Sequence, residues 1–202
     1  EAADLYKGEM GRQPKSVAAT VGYGMALAKQ FKLDAAEEHF NKVLSMDPTN
    51  AMAHAGRAMI TLNRLTSSSN TVIKNREALL RNAEAECKQA LNIDPAMPEG
   101  HVTLGNIYKE QGRMDEAINE YKEAIRLDPK YSEGYSQLGI AQLNKEQYAD
   151  AVSAFKSAIS YNSGNSQAHY GLGRAYYKQG LLDEALKELN TSLYQFRNSA
   201  PV

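Results

Sequence analysis

A landmark pattern returns along this chain every 34 residues, and that period restricts the possible folds more than any other feature. The clearest unit runs from Pro98 to Tyr131. Leu104, Gly105 and Tyr108 fall at helical spacing on one face of a first helix, and Ala117, Tyr121 and Ala124 do the same on a second. Gly112-Arg113 breaks the two apart. Asp128-Pro129 closes the unit, because proline cannot continue a helix and restrains the residue before it. One period later stand Leu138-Gly139, Ala151, Phe155 and Ala158. Another period on come Leu172-Gly173, Tyr176, Gly180, Ala185 and Leu189. Several spaced landmarks recurring in register predict a stack of helix pairs with one continuous core.

A unit of this length with Leu-Gly, Tyr, Ala, aromatic, Ala and Pro landmarks closely resembles the tetratricopeptide repeat. The resemblance implies an all-α fold, a right-handed α-α superhelix of helix-turn-helix repeats. It also implies a concave groove, lined by the first helices, that binds peptides or partner helices. It divides the chain into the second half of a preceding repeat (1–16), five repeats (17–50, 51–97, 98–131, 132–165 and 166–199) and a short tail (200–202).

Each segment departs from the pattern in its own way. In residues 1–16, Glu1-Ala2, Tyr6 and Pro14 match Glu116-Ala117, Tyr121 and Pro129, so a lone helix is expected to cover the apolar edge of the next repeat. Gly8 and Gly11 make it a weak helix, at roughly 1 kcal/mol each relative to alanine, and support from upstream is expected. The first repeat carries Tyr23-Gly24, Ala36, Phe40 and Asp47-Pro48, with Phe31 where a turn glycine is usual. In the second, the step from Thr61 to Ala83 is 22 residues against 9 from Tyr108 to Ala117, which leaves 13 extra residues in or near 63–76. Their Ser/Thr/Asn-rich centre reads as a loop, either a tolerated insertion or a loop beside the binding face. Val72-Ile73 is then an apolar tip or an early extension of the second helix. The fourth repeat ends in Ser163-Gly164 instead of proline, where a left-handed glycine can stop the helix. The final helix, Leu182 to Phe196, carries more apolar surface than one neighbour covers. A native chain that continues is the favoured explanation, and contact with another molecule the other.

Composition excludes some classes of function. The balance of 23 Lys plus Arg against 24 Asp plus Glu argues against a protein held to nucleic acid by a dense basic surface, and no nucleic-acid partner is expected. No apolar run approaches the ~18 residues of a membrane helix. The compartment is left open, since a chain that starts at Glu1 can have lost a leader. Phosphate loops, nucleophile elbows, zinc-type cysteine pairs and His-Glu-x-x-His are all missing, so no enzyme, cofactor or metal site is expected. His54, His101 and His169 share one place in their repeats, with Tyr135 in the fourth. Helices stack with axes ~8–10 Å apart, too far for two such rings to share an ion with ~2 Å bonds, so they read as packing aromatics. Cys87 falls in the column of Phe40, Tyr121, Phe155 and Leu189 and reads as a small buried hydrophobe. The sequon at Asn190 lies inside a helix, and Glu116, Glu120 and Glu123 follow a solvated face.

The groove is expected on the opposite face of each first helix. Its first half offers Val21, Met25, Met52 and Met59, with Gly22 and Gly56 making room for an approaching backbone. The second half offers Val102, Asn106, Gln137, Ile140, Tyr170, Arg174 and Tyr177. Methionine adapts to irregular apolar partners, and tyrosine and arginine anchor interfaces. The expected partner is a protein or peptide with an apolar, helical part and a polar part. The lysine–asparagine clamp of chaperone-binding relatives is missing, since only Asn106 fits it. An asparagine ladder is missing too, its column reading Gly22, Gly56, Thr103, Gln137 and Gly171. The expected function is a non-catalytic scaffold or adaptor. A targeting or regulatory segment of a larger enzyme or cell-envelope protein is a second reading, and self-association through the final helix a third.

Overall fold

The computed structural model describes residues 2–13, 16–67 and 75–199. Among them are eleven helices and no strand: α1 (Ala2–Arg12), α2 (Val17–Lys29), α3 (Leu33–Met46), α4 (Ala51–Ser67), α5 (Arg76–Ile93), α6 (Pro98–Glu110), α7 (Met114–Leu127), α8 (Ser132–Asn144), α9 (Tyr148–Tyr161), α10 (Ser166–Lys178) and α11 (Leu182–Ser199). The fold is an all-α solenoid of helix-turn-helix pairs. The chain forms two compact units, residues 1–111 with α1–α6 and residues 112–202 with α7–α11. In the first unit α1 packs on α2, α2 pairs with α3, and α4 lies on α3 and pairs with α5. In the second, α7 packs on α8, α8 pairs with α9, and α10 lies on α9 and pairs with α11.

One rule of spacing joins these pairs. Phe155 is completely buried between two glycines, Gly139 sixteen residues before it and Gly171 sixteen after. A Cβ built on Gly139 would lie 2.8 Å from the Phe155 ring, and one on Gly171 would collide with it. The first glycine admits the ring to its own pair, and the second lets the next first helix close over it. Phe40 repeats the arrangement with Gly24 and Gly56. Tyr6 fits Gly22 in the same way and Leu189 fits Gly173, so α1 and α11 each show one half of the rule. With α1 and α3 in place, Gly22 and Gly56 therefore do not open room for a partner. Their free sides are filled by rings of this chain.

The turns explain where the helices stop. Gly180, between the paired α10 and α11, takes the left-handed backbone at φ 81°, and Gly112, between α6 and α7 in the chain, takes it at 78°. Phe31 and Glu146 take it at φ 58° and 61°, a conformation that costs a residue with a Cβ roughly 1–2 kcal/mol. Between pairs, a carboxylate or amide oxygen accepts from the backbone N–H two residues on: Asp47 from Thr49, Asp94 from Ala96, Asp128 from Lys130 and Asn162 from Gly164. The last of these corrects the expectation for Ser163-Gly164. Gly164 is not left-handed, and Asn162 builds the turn that proline-bearing junctions build with aspartate.

The insertion is partly helix. α4 has 17 residues and α5 has 18, against 13 and 14 for α2 and α3. Leu62 and Leu65 are buried, so packing carries α4 through Asn63 to Ser67 despite a loop-like composition. Arg64 reaches back to Asp34 and Glu37 of α3, and Arg76 at the start of α5 pairs with Glu110 of α6. Val72-Ile73 lies outside the described residues.

Candidate functional site

Each first helix begins at the same register, which allows its exposed positions to be compared directly. The fifth residue is Val21, Ala55, Val102, Ser136 and Tyr170 in α2, α4, α6, α8 and α10. The first four are buried, whereas Tyr170 is 52% exposed. In the second unit the cause is plain: α10 lies over α8 and α9, and Asn165 donates its amide to the hydroxyls of Ser132 and Ser136 at 3.0 and 2.9 Å. This position belongs to the seam between pairs. Val21 and Val102 are therefore buried rather than groove-lining, as is Gln137, whose amide donates to Glu133 at 2.7 Å.

The remaining expected site residues divide by unit. Met25, Met52 and Met59 are half-buried and come together around the core of Phe40, Val43 and Ile60. Asn106 is half-buried and accepts from Lys109 on the same helix. In the second unit Ile140 is half-buried on the core of Phe155 and Leu172. Arg174 is exposed and holds its guanidinium carbon 5.7 Å from the centre of the Tyr170 ring. Tyr177 is 63% exposed, while the same twelfth position is buried as Ala28, Leu62 and Leu143 in α2, α4 and α8 and half-buried as Lys109 in α6. Tyr170, Arg174 and Tyr177 thus form one exposed stripe along α10.

Beside this stripe lies a groove of about 470 Å³. Ser166, Gln167 and Tyr170 of α10 form one wall, and Leu189, Ser192, Leu193 and Phe196 of α11 the other. The Ser192 hydroxyl donates to the Ser166 carbonyl at 2.8 Å, as that of Ser132 does to Ala158 one seam earlier. Along α11, Leu182, Leu186, Leu193 and Phe196 are all exposed, the last at 67%. Spacing alone did not isolate this groove. The excess apolar surface of the final helix was its signal.

The histidine column holds turns. Nε2 of His54, His101 and His169 faces the carbonyl six residues earlier, that of Pro48, Pro95 and Ser163, at 3.0, 3.0 and 3.2 Å. The Tyr135 hydroxyl donates to Pro129 in the same way. Burial, then the adjacent Tyr161, raises that phenol above its ordinary range, which keeps it a donor. His54 and His169 also meet the carboxylates of Glu86 and Glu188, each at 2.6 Å through Nδ1. A ring there fastens the junction before its helix to the helix behind it, a polar function that a simple packing aromatic lacks. Among the described residues no group of three or more His, Cys, Asp or Glu could hold a metal ion. None of their helices is long and apolar enough to cross a membrane. Cys87 is buried, with its thiol 3.3 Å from the Gly100 carbonyl.

Comparison with known proteins agrees with this architecture. Residues 105–146 match the TPR repeat family, and residues 1–51 and 142–202 match tetratricopeptide repeat families. A comparison with curated protein sequences finds no match. Among solved structures, the chain is similar to TTC0263, a thermophilic TPR protein of Thermus thermophilus, at 20% identity and a TM-score of 0.73. That match covers 91% of this chain and 93% of the other. PilF of Pseudomonas aeruginosa is 21% identical with a TM-score of 0.71, over 90% of this chain and 77% of that one. YrrB, a TPR protein with an unusual peptide-binding site, is 17% identical with a TM-score of 0.56, over 98% and 95%. At these identities the likeness is one of fold.

Proposed function

The chain belongs to the tetratricopeptide repeat family, and from that premise we propose that it is a non-catalytic protein-interaction scaffold that binds a peptide through the exposed stripe of α10. The observation that carries this reading is the change of residue along equivalent positions. Where α2, α4 and α8 bury Ala28, Leu62 and Leu143, α10 presents Tyr177 to solvent, one turn from an Arg174 already stacked on Tyr170. An aromatic ring beside a guanidinium suits a peptide with an apolar side chain followed by a carboxylate, because the ring supplies area at low entropic cost and arginine pairs with a carboxylate through two bonds. Ile140 on α8 would extend the apolar part. Met25, Met52 and Met59, with Asn106, would form a second and weaker contact in the first unit, since half of each methionine is already spent on the core. A peptide-binding site in YrrB, which shares the fold, is consistent with this use of it.

Panning a displayed peptide library on the chain tests the proposal. Selected peptides should carry an acidic residue next to an apolar one. Their affinity, read by fluorescence anisotropy, should fall at least tenfold with Arg174→Glu and with Tyr177→Ala. It should be unchanged by Leu193→Asp in the neighbouring groove. Peptides that bind all three variants equally would remove the α10 stripe as the site.

A further inference from the structure

The interior of the second unit shows what a groove of the α10/α11 type accepts. One seam earlier the groove between α8 and α9 is filled by α10 itself, which presents Ala168, Gly171, Leu172 and Ala175 at its third, sixth, seventh and tenth positions. The alanines and leucine join the core of Phe155, and Gly171 receives the ring. α2 carries Ala19, Gly22, Tyr23 and Ala26 at the same four positions, and its N-terminus is capped by the Ser16 side chain as that of α10 is by Asn165. α2 is therefore an insert of the same kind. Its seam is closed by α1, which among the described residues packs on α2 and on no other helix.

α1 is a poor closure by the standard of α11. Aligned through Tyr6 and Leu189, which share a column, α1 and the residue after it offer Ala3, Met10 and Gln13 where α11 offers Leu186, Leu193 and Phe196. Leu5 is 75% exposed, and Gly8 and Gly11 have no neighbour that would exclude a side chain, so neither glycine serves packing. The tether gives α1 its advantage, since a covalently attached segment competes at an effective concentration on the order of mM.

We propose that a second copy of this chain docks head to tail, with α11 of one copy taking the place of α1 on α2 of the next. Leu189 then enters the notch at Gly22, and α2 seats in the groove walled by Tyr170, Leu193 and Phe196. The contact is heterologous, so each added copy leaves one free α2 and one free α11, and copies add in series. α1 is a plug that sets the concentration at which this begins. The surface meets the α10 stripe proposed for peptides only at Tyr170; that proposal is read at Arg174 and Tyr177 and this one at Gly22 and Leu193, so either can fail alone.

The experiment uses the chain of residues 1–202 with Tyr6→Asp/Met10→Asp, which charges the inner face of α1, followed by sedimentation velocity over a concentration series. Loosening α1 should strengthen self-association at least tenfold over the unaltered chain. Adding Gly22→Leu or Leu193→Asp to that background should each return the chain to monomer. An equimolar mixture of these two should form a dimer and nothing larger, because one contributes a sound groove and the other a sound α2. An α11-to-α11 dimer behaves oppositely, surviving Gly22→Leu and gaining nothing from the mixture, and would overturn the proposal. So would a loosened chain that stays monomeric with its helical circular dichroism intact. Should that variant lose helix, Gly8→Ala/Gly11→Ala reads the same equilibrium from the other side. It must weaken whatever association the unaltered chain shows at high concentration, and unchanged or absent association would overturn the plug.

Discussion

The seam between the α8/α9 pair and α10 and the bare face of the α10/α11 pair carry equivalent residues under different cover. At the seam, Phe155 is sealed between two glycines, Ser136 is bonded to Asn165, and Tyr148, Val152 and Ile159 lie against the core. On the bare face, Leu189, Tyr170, Leu182, Leu186 and Leu193 hold those same positions, and all but Leu189 are exposed. The difference teaches that position in the repeat assigns a direction, and that the following helix decides whether the direction is core or surface. Fifth-position residues are a case in point: Ser136 is a bonded core group and Tyr170 a groove wall.

The sharpest way to break the comparison is to truncate one aromatic on each side. Phe155→Ala should cost about 3–5 kcal/mol, because the two glycine-bearing helices cannot collapse into the space the ring leaves. Phe196→Ala should stay within about 0.5 kcal/mol, as at other surface positions. Urea unfolding of the two variants checks both. Similar costs would mean that the α11 face is already covered in solution, and a concentration-dependent Phe196→Ala effect would identify the cover as a second copy.

Glycines give a finer contrast. Gly171→Ala places a methyl group against the Phe155 ring and should destabilise by about 1–3 kcal/mol. Gly8→Ala in α1 meets nothing and should raise helix stability by up to about 1 kcal/mol. Opposite signs for the same chemical change would separate a glycine required by close approach from one that only weakens its helix. Equal signs would show that the Phe155 ring can move aside.

This contrast also marks how far the sequence could be read. The helix pairs were legible because Leu104, Tyr108, Ala117 and Tyr121 recur at helical spacing, and periodicity reports which face is buried. The notches were not. Gly22, Gly56 and Gly171 are visible as glycines, yet the ring that fills each lies sixteen residues earlier on another helix, and no single-helix pattern contains it. The same reasoning placed Val21, Val102 and Gln137 on a groove, since a helical face says nothing of the helix that will lie over it. Arg174, Tyr170 and Tyr177 were singled out by residue type, and the structure brings them into one stripe. The shared place of the three histidines was plain in the sequence. Their bonds to Pro48, Pro95 and Ser163 depend on the path of the turn, which composition does not report. At Asn63–Ser67 the buried Leu62 and Leu65 override a weak local preference.

The smallest expected effect concerns the junction that precedes a seam. Before α4 the turn is held by Asp47, which accepts from the Asn50 amide at 3.1 Å, the Thr49 hydroxyl at 2.9 Å and the Thr49 backbone at 3.1 Å. These bonds, that of Asn50 foremost, hold its carboxyl below the ordinary value. Before α10 the same turn is held by Asn162, which accepts from Gly164 at 3.1 Å and does not titrate. A carboxyl depressed in the folded state stabilises fully above its unfolded value of about 3.9, and the contribution disappears as pH falls through the lower folded value. Acid should therefore loosen the junction before α4 and spare the one before α10. Asp47→Asn, which copies the second junction into the first, should remove that part of the loss. Amide hydrogen exchange of Thr49 and Gly164 on either side of the Asp47 transition reads the two turns separately. Protection lost at Thr49 in the unaltered chain, kept in Asp47→Asn, and kept at Gly164 in both, is the expected pattern. Equal loss at both turns would mean that acid acts on the units as wholes, and that the choice between Asp47 and Asn162 makes no difference to the seam each one precedes.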